Sequence, residues 1–201
     1  NFIDNFEGAS INSFWTASGS GTASLITSAA HGGSQSLELA QPSPYAYVTL
    51  SHDFGIEQMG SVSVYLQRHD CCAGAGLAIT RANGDWANIQ HLAAGGFYTR
   101  VFVDGVQSGG PIDNSTSLDN WHLFDITTDL SGVTVKLDGT TVLTDSRIIS
   151  FQFVSLEVWG SPVGSANFDD FNANTVAVPE PAAWTLMAIC MGSLAVIRRK
   201  R

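Results

Sequence analysis

Along residues 1–175 apolar and polar positions change places every residue or two, in short runs cut by Gly, Ser, Asn and Asp, and no stretch sustains a helical period. Eight runs read as strands: Ala46–Leu50, Val62–Leu66, Leu77–Thr80, Phe97–Val103, Trp121–Thr127, Val133–Leu137, Val142–Leu143 and Ile148–Val158. Between them Asn83-Gly84, Asp104-Gly105 and Asp138-Gly139 predict two-residue hairpins of type I′, which need positive φ at both central positions. Ahead of the last of these, Val133, Val135 and Leu137 alternate with Thr134 and Lys136, so that strand has one dry face and one wet face. A sheet of such strands needs a second sheet against its dry side. The pattern predicts an all-β body over residues 1–175, a two-sheet antiparallel jelly-roll sandwich with Trp15 and Trp121 in its core.

The alternation stops after that body. Residues 176–181 form a short linker ending in Val178-Pro179-Glu180-Pro181, followed by sixteen uncharged, mostly apolar residues, Ala182 to Ile197, and then by Arg198, Arg199, Lys200 and Arg201. As a helix the apolar run is roughly 24 Å long at ~1.5 Å per residue, a little short of the ~30 Å hydrocarbon core. Trp184 at one interface and the basic cluster at the other let it insert, and the positive-inside rule puts the basic end in the cytoplasm and the body on the far side. No charge interrupts the run to give it the polar face of an ordinary amphipathic helix. Proline at 179 and 181 keeps the segment before it extended.

The three parts in this order resemble the PEP-CTERM sorting signal of Gram-negative bacteria. The likeness covers 24 of 201 residues. It implies transient anchoring in the inner membrane, cutting near Pro179-Glu180-Pro181 by an exosortase-type enzyme as partner, and release to the cell surface or to exopolysaccharide. The chain opens on Asn1 rather than Met, as expected of a fragment or of a form stripped of its leader.

Composition narrows the partners. Hydrophobic residues are 44% and charged residues 13% of the chain, which argues against a disordered acidic tail or a coiled coil. The net charge is −9, but four of the nine bases are the last four residues, so residues 1–177 hold five bases against seventeen acids. Such a surface repels phosphate backbones, and no nucleic-acid partner is expected.

Asn5-Phe6-Glu7-Gly8, Phe14-Trp15, the run from His31-Gly32-Gly33 to Leu39, and Asn167-Phe168-Asp169-Asp170-Phe171 resemble the opening and closing strands of bacterial jelly rolls, carbohydrate-binding and concanavalin A-like or laminin G-like. The carbohydrate-binding branch implies a structural calcium ion held by Glu7, the carbonyl near Gly33, and Asp169 or Asp170, because calcium takes six to eight hard oxygens. Without an ion, Asp169 and Asp170 alternate on an edge strand, pointing to opposite faces, and Glu7 is solvated. The concanavalin A-like glucanases place three acids on one strand as Glu-x-Asp-x-Glu; Ser155-Leu156-Glu157-Val158-Trp159 keeps a single carboxylate in that pattern. Hydrolysis needs two carboxyl groups about 5–9.5 Å apart, so the chain is expected not to be an enzyme.

The five histidines lack metal-type spacing, and no Gly-x-Ser-x-Gly is present. Cys71 and Cys72 are adjacent and Cys190 lies in the sorting span, which excludes a disulfide framework. Sugar recognition combines aromatic faces with polar groups, a mixture found in Thr80–His91 and just beyond: Arg81, Trp86, His91, Tyr98 and Arg100 are the candidates, with Trp159 as a further one. The sequence reading is an exported, non-catalytic surface or matrix protein with polysaccharide as the candidate ligand. A structural matrix protein without a glycan site and a divergent glycan hydrolase or lyase are the alternatives.

Overall fold

The computed structural model describes residues 1–68, 73–92, 96–113, 119–161 and 163–178. Cys71, Cys72, Pro179, Glu180, Pro181, the 182–197 span and the basic Arg198, Arg199, Lys200 and Arg201 lie outside these. Among the described residues no helix is long and apolar enough to cross a membrane.

Among the described residues fourteen antiparallel strands follow one another: β1 (Phe2–Asp4), β2 (Thr16–Gly19), β3 (Thr22–Ile26), β4 (Ser36–Ala40), β5 (Tyr47–Arg68), β6 (Ala73–Thr80), β7 (Trp86–Leu92), β8 (Gly96–Val103), β9 (Val106–Asp113), β10 (Trp121–Asp129), β11 (Gly132–Leu137), β12 (Thr140–Asp145), β13 (Phe151–Gly160) and β14 (Ser165–Ala177). The all-β jelly-roll sandwich expected from the alternation is what the chain forms. β5 belongs to both layers. Its first half lies between β2 and β13, and the first layer continues from β13 through β6, β7 and β8 to β9. From Gly60 onward β5 lies between β10 and β14, which carries β4 and β1 along its other edge; β11 and β12 complete the second layer, with β3 on β4. The sequence shows β5 only as two apolar runs, because the bend between the layers breaks the alternation.

The core is what the two layers press together. Val48, Leu50, Leu77, Ile79, Ile89, Val101, Val154, Leu156 and Val158 of the first meet Val62, Val64, Leu66, Phe124, Ile126, Val135, Phe168 and Phe171 of the second, all buried. Period-two alternation delivers every second residue to this interior, which is why the runs were legible. Trp15 is in the core, with its indole N–H donating to Asp4 Oδ2 at 3.0 Å. Trp121 is not: it is only half-buried and packs edge-on near His31, because it shares strand parity with Leu123 and not with the inward Phe124.

Two of the three predicted turns form as expected. Asp104 and Gly105 have φ of +50° and +79°, and Asp138 and Gly139 have the same pair of values. In the third only Gly84 takes positive φ, and the connection is a five-residue loop closed by Arg81 N–H to Asp85 O at 2.8 Å. β14 runs two residues beyond the expected boundary at 175, and Val178 N–H still donates to Glu57 O at 2.9 Å.

Candidate functional site: the outer face of the first layer

Strand parity and register define one face. Opposite the core residues of β13 stand Phe153, Ser155, Glu157 and Trp159, each half-buried. Register carries this face sideways: Glu157 lies level with Gly76, Gln90, Tyr98 and Pro111, while Ser155 lies level with Ala78, Asn88, Arg100 and Gly109. Trp159 neighbours Gly74, and Trp86 faces Phe102 across β7 and β8 with ring centroids 5.7 Å apart and nearly parallel planes. The result is a band of aromatic, carboxamide, guanidinium and carboxyl groups across five strands.

The small residues of β6 are needed for this arrangement. A Cβ on Gly74 would stand 2.9 Å from the indole of Trp159, so glycine lets that ring lie over the strand. At Gly76 a Cβ would meet Ile89 O at 2.6 Å and Gln90 Cγ at 3.1 Å, so β7 also comes close to a backbone without a side chain.

Glu157 is the chemically distinctive group. Burial pushes its carboxyl above the ordinary carboxylate range, against the opposing effect of the Ser155 hydroxyl, which donates to Glu157 Oε1 at 2.6 Å. Arg100 extends over the Tyr98 ring at 5.0 Å, a cation–π contact. Asn88 and Gln90, each 6% exposed, have carbonyl oxygens without a hydrogen-bond partner among the described residues, as does Arg100 Nε.

Four of the six residues expected to bind sugar therefore share one face: Trp86, Tyr98, Arg100 and Trp159. Arg81 sits beside it in the β6–β7 loop, 3.6 Å from Asp85 and 3.9 Å from Glu57. His91 does not belong with them. It is fully buried between the layers, stacked on Phe97 at 4.4 Å, because it lies five positions from Trp86 on one strand and an odd separation reverses the face. Asn88 and Gln90 were passed over as individual candidates, although Trp86, Asn88 and Gln90 have matching parity. Ser155 had no signal beyond its place two residues before Glu157.

The residues expected at a calcium clamp also come together, around the loop 31–35. Glu7 Oε1 accepts N–H bonds from Ser34 and Gln35, both at 2.7 Å, and Glu7 Oε2 accepts the Ser34 hydroxyl at 2.6 Å, while a Cβ on Gly33 would stand 2.4 Å from Glu7 Oε1. These bonds hold the Glu7 carboxyl below its ordinary range. Asp169 Oδ2 accepts the N–H groups of His31 and Gly32 at 2.8 and 3.1 Å, and Asp170 Oδ2 lies 2.8 Å from His31 Nδ1. Asp169 and Asp170 thus serve one loop, not opposite faces, since Asp170 has φ of +49° and the β14–β5 register shifts between Asp169 and Asn172. Burial raises the Asp169 carboxyl above its ordinary range. Among the described residues no three metal-ligating side chains form a cluster.

The fold defines a class, the all-β jelly-roll sandwiches, an architecture on which carbohydrate-binding and glycosidase domains are also built. No protein-family model matches the chain, and a search of curated proteins finds no relative. Solved structures do match. A glycoside hydrolase family 16 endo-glucanase from Bacteroides ovatus superposes with a TM-score of 0.66 at 9% identity, over 87% of this chain and 99% of the glucanase. The Crh5 transglycosylase in its apo form gives 0.63 at 15%, over 86% and 84%. The carbohydrate-binding module CBM66 from Bacillus subtilis gives 0.52 at 15%, over 79% and 93%. At these identities the likeness is one of fold.

It corrects the expectation of a non-catalytic protein that is not an enzyme. Glucanases and transglycosylases stand among the strong structural matches, so the fold gives no ground for setting the glycan-active alternative aside. The sequence pointed the other way because Ser155–Trp159 holds only Glu157 where the glucanase strand pattern has three acids, and the fold does not depend on that count.

Proposed function

We propose that the chain is a glycan-active enzyme domain that takes a polysaccharide across the outer face of the first layer. The observation that carries this is Glu157, a carboxyl held toward its protonated form by burial, on the same face as Trp159, Trp86, Tyr98, Asn88 and Gln90. A carboxyl whose proton is held more tightly than usual is suited to protonating a leaving sugar oxygen, and aromatic faces beside carboxamides hold the pyranose rings that carry it. The register places Asp53 of the neighbouring strand level with Phe153, four residues along from Glu157, and the role assigned to Glu157 is that of proton donor alone. The test is a panel of polysaccharides read both for new reducing ends and for the ultraviolet absorbance of an unsaturated product, which separates hydrolase from lyase. Cleavage abolished by Glu157→Gln supports the reading; a chain that cleaves none of the panel, or cleaves as well with the variant, overturns it.

Two further parts of the reading rest on resemblance. The terminal segment from Val178 is proposed to work as a PEP-CTERM sorting signal, with an exosortase-type enzyme as partner, the inner membrane as transient anchor and the cell surface or exopolysaccharide as destination. The intact mass of surface-released protein tests this, since cutting near Glu180 removes the last two dozen residues. A structural calcium at the loop 31–35, held by Glu7, Asp169 or Asp170 and a carbonyl near Gly33, is proposed as a staple between the chain ends. Asp170 Oδ1 and the loop carbonyls would have to supply much of its oxygen set, because the other carboxylate oxygens already accept N–H or O–H groups.

A further inference from the structure

Arg100 differs from the other bases of the described body. Arg81 faces Asp85 and Glu57, Arg147 is locked on Asp145 at 2.6 Å, Arg68 is fully buried, and Lys136 belongs to the second layer. Arg100 alone among them stands on the outer face of the first layer, and among the described residues no carboxylate lies within ion-pair distance of it. Its guanidinium is steadied over Tyr98, so little side-chain freedom remains to be lost on binding. Its Nε, like the carbonyl oxygens of Asn88 and Gln90 on the adjacent strand, is covered, so the groups these side chains turn outward are the terminal guanidinium nitrogens of Arg100 and the amide N–H groups of Asn88 and Gln90, with Asn88 level with Arg100.

A ligand that engages all three side chains must bring a planar anionic acceptor for the guanidinium and hydroxyl oxygens as acceptors for the two amide groups. A neutral sugar supplies the hydroxyls but not the charge; a uronic acid supplies both in one ring. We propose that Arg100, Asn88 and Gln90 form a subsite for an acidic sugar unit, so that the substrate class is a uronate-containing polysaccharide. This rests on the glycan reading above and makes it more specific. The acidity of the body does not oppose it, since Glu157, three strands across the same face, is held toward its neutral form by burial.

The test uses the intact chain and three probes: polygalacturonate, the same polymer fully methyl-esterified, and a neutral β-glucan, each measured by affinity electrophoresis at low and moderate salt. Tenfold or greater preference for the free acid over its ester, weakened by salt, is expected. Arg100→Lys keeps the charge but not the fork, and should lose most of that preference; its melting temperature is measured alongside, and Arg100→Gln serves as a second variant should the first not fold. Equal binding of acid and ester, or binding of the neutral glucan alone, overturns the acidic subsite and leaves the glycan reading standing. Retention of none of the three polymers overturns both.

Discussion

The Ser155 hydroxyl donates to Glu157 Oε1 at 2.6 Å, and the two residues stand side by side on the outer face of β13 because they are two apart on a strand. That bond favours the charged carboxylate, while burial favours the neutral acid and is the larger effect. The proton affinity of this carboxyl is thus set by a neighbouring side chain and the packing around it.

Replacing Glu157 by Gln should remove polysaccharide cleavage by about 10²-fold or more, the usual size of a lost general acid. It should also change the pH dependence of stability. A carboxyl whose proton is held more tightly in the fold than in the unfolded chain gives stability that is fully present below the ordinary value of 4.5 and is lost as pH rises through the raised one. Melting temperatures of the wild type and the variant should therefore diverge as pH rises from about 4, with the wild type losing more. Parallel curves would remove the claim that burial raises the Glu157 carboxyl.

Gly74→Ala should weaken binding without touching an aromatic residue. The added methyl would stand 2.9–3.1 Å from the Trp159 indole and lift it from its place. Trp159→Ala is expected to weaken polysaccharide binding about tenfold, and Gly74→Ala by a comparable factor, as read by affinity electrophoresis. Full binding by both variants would take Trp159 out of the site.

His91 gives a second pH signature, opposite in sign. Burial, with Arg68 and His122 adding charge repulsion, brings its imidazole from 6.5 to about 3. The unfolded chain takes up that proton first, so stability is present above about 6.5 and is lost as pH falls toward 3, by about 2 kcal/mol at pH 5. His91→Phe keeps a ring against Phe97 and should flatten the acid side of the stability curve. Chemical denaturation at pH 7 and pH 5 reads the difference.

The calcium proposal predicts that EDTA lowers the melting temperature of the protein by several degrees and that added calcium restores it, since a ligand bound only by the folded state stabilises it by mass action. An unchanged melting temperature counts against the staple. It would leave the N–H bonds of the loop 31–35 to Glu7 and Asp169 as what closes the sandwich.

What the amino-acid order determined by itself was everything that depends on neighbours along the chain. Alternation at Val133–Leu137 or Val62–Leu66 shows a half-dry strand wherever it ends up, and Asp-Gly at 104–105 and 138–139 takes its positive φ from local sterics. The same rule separates His91 from Trp86 by parity alone. Tertiary structure decided which strands lie beside which. Only register puts Glu157 of β13, Gln90 of β7 and Tyr98 of β8 on one line, although they are up to 67 positions apart, and only the bulge at Asp170 turns two consecutive aspartates toward His31. The physical reason is that strand propensity and turn chemistry are short-range, whereas pairing across a sheet is chosen by the summed burial of both layers, and the raised carboxyl of Glu157 exists only once that burial is complete.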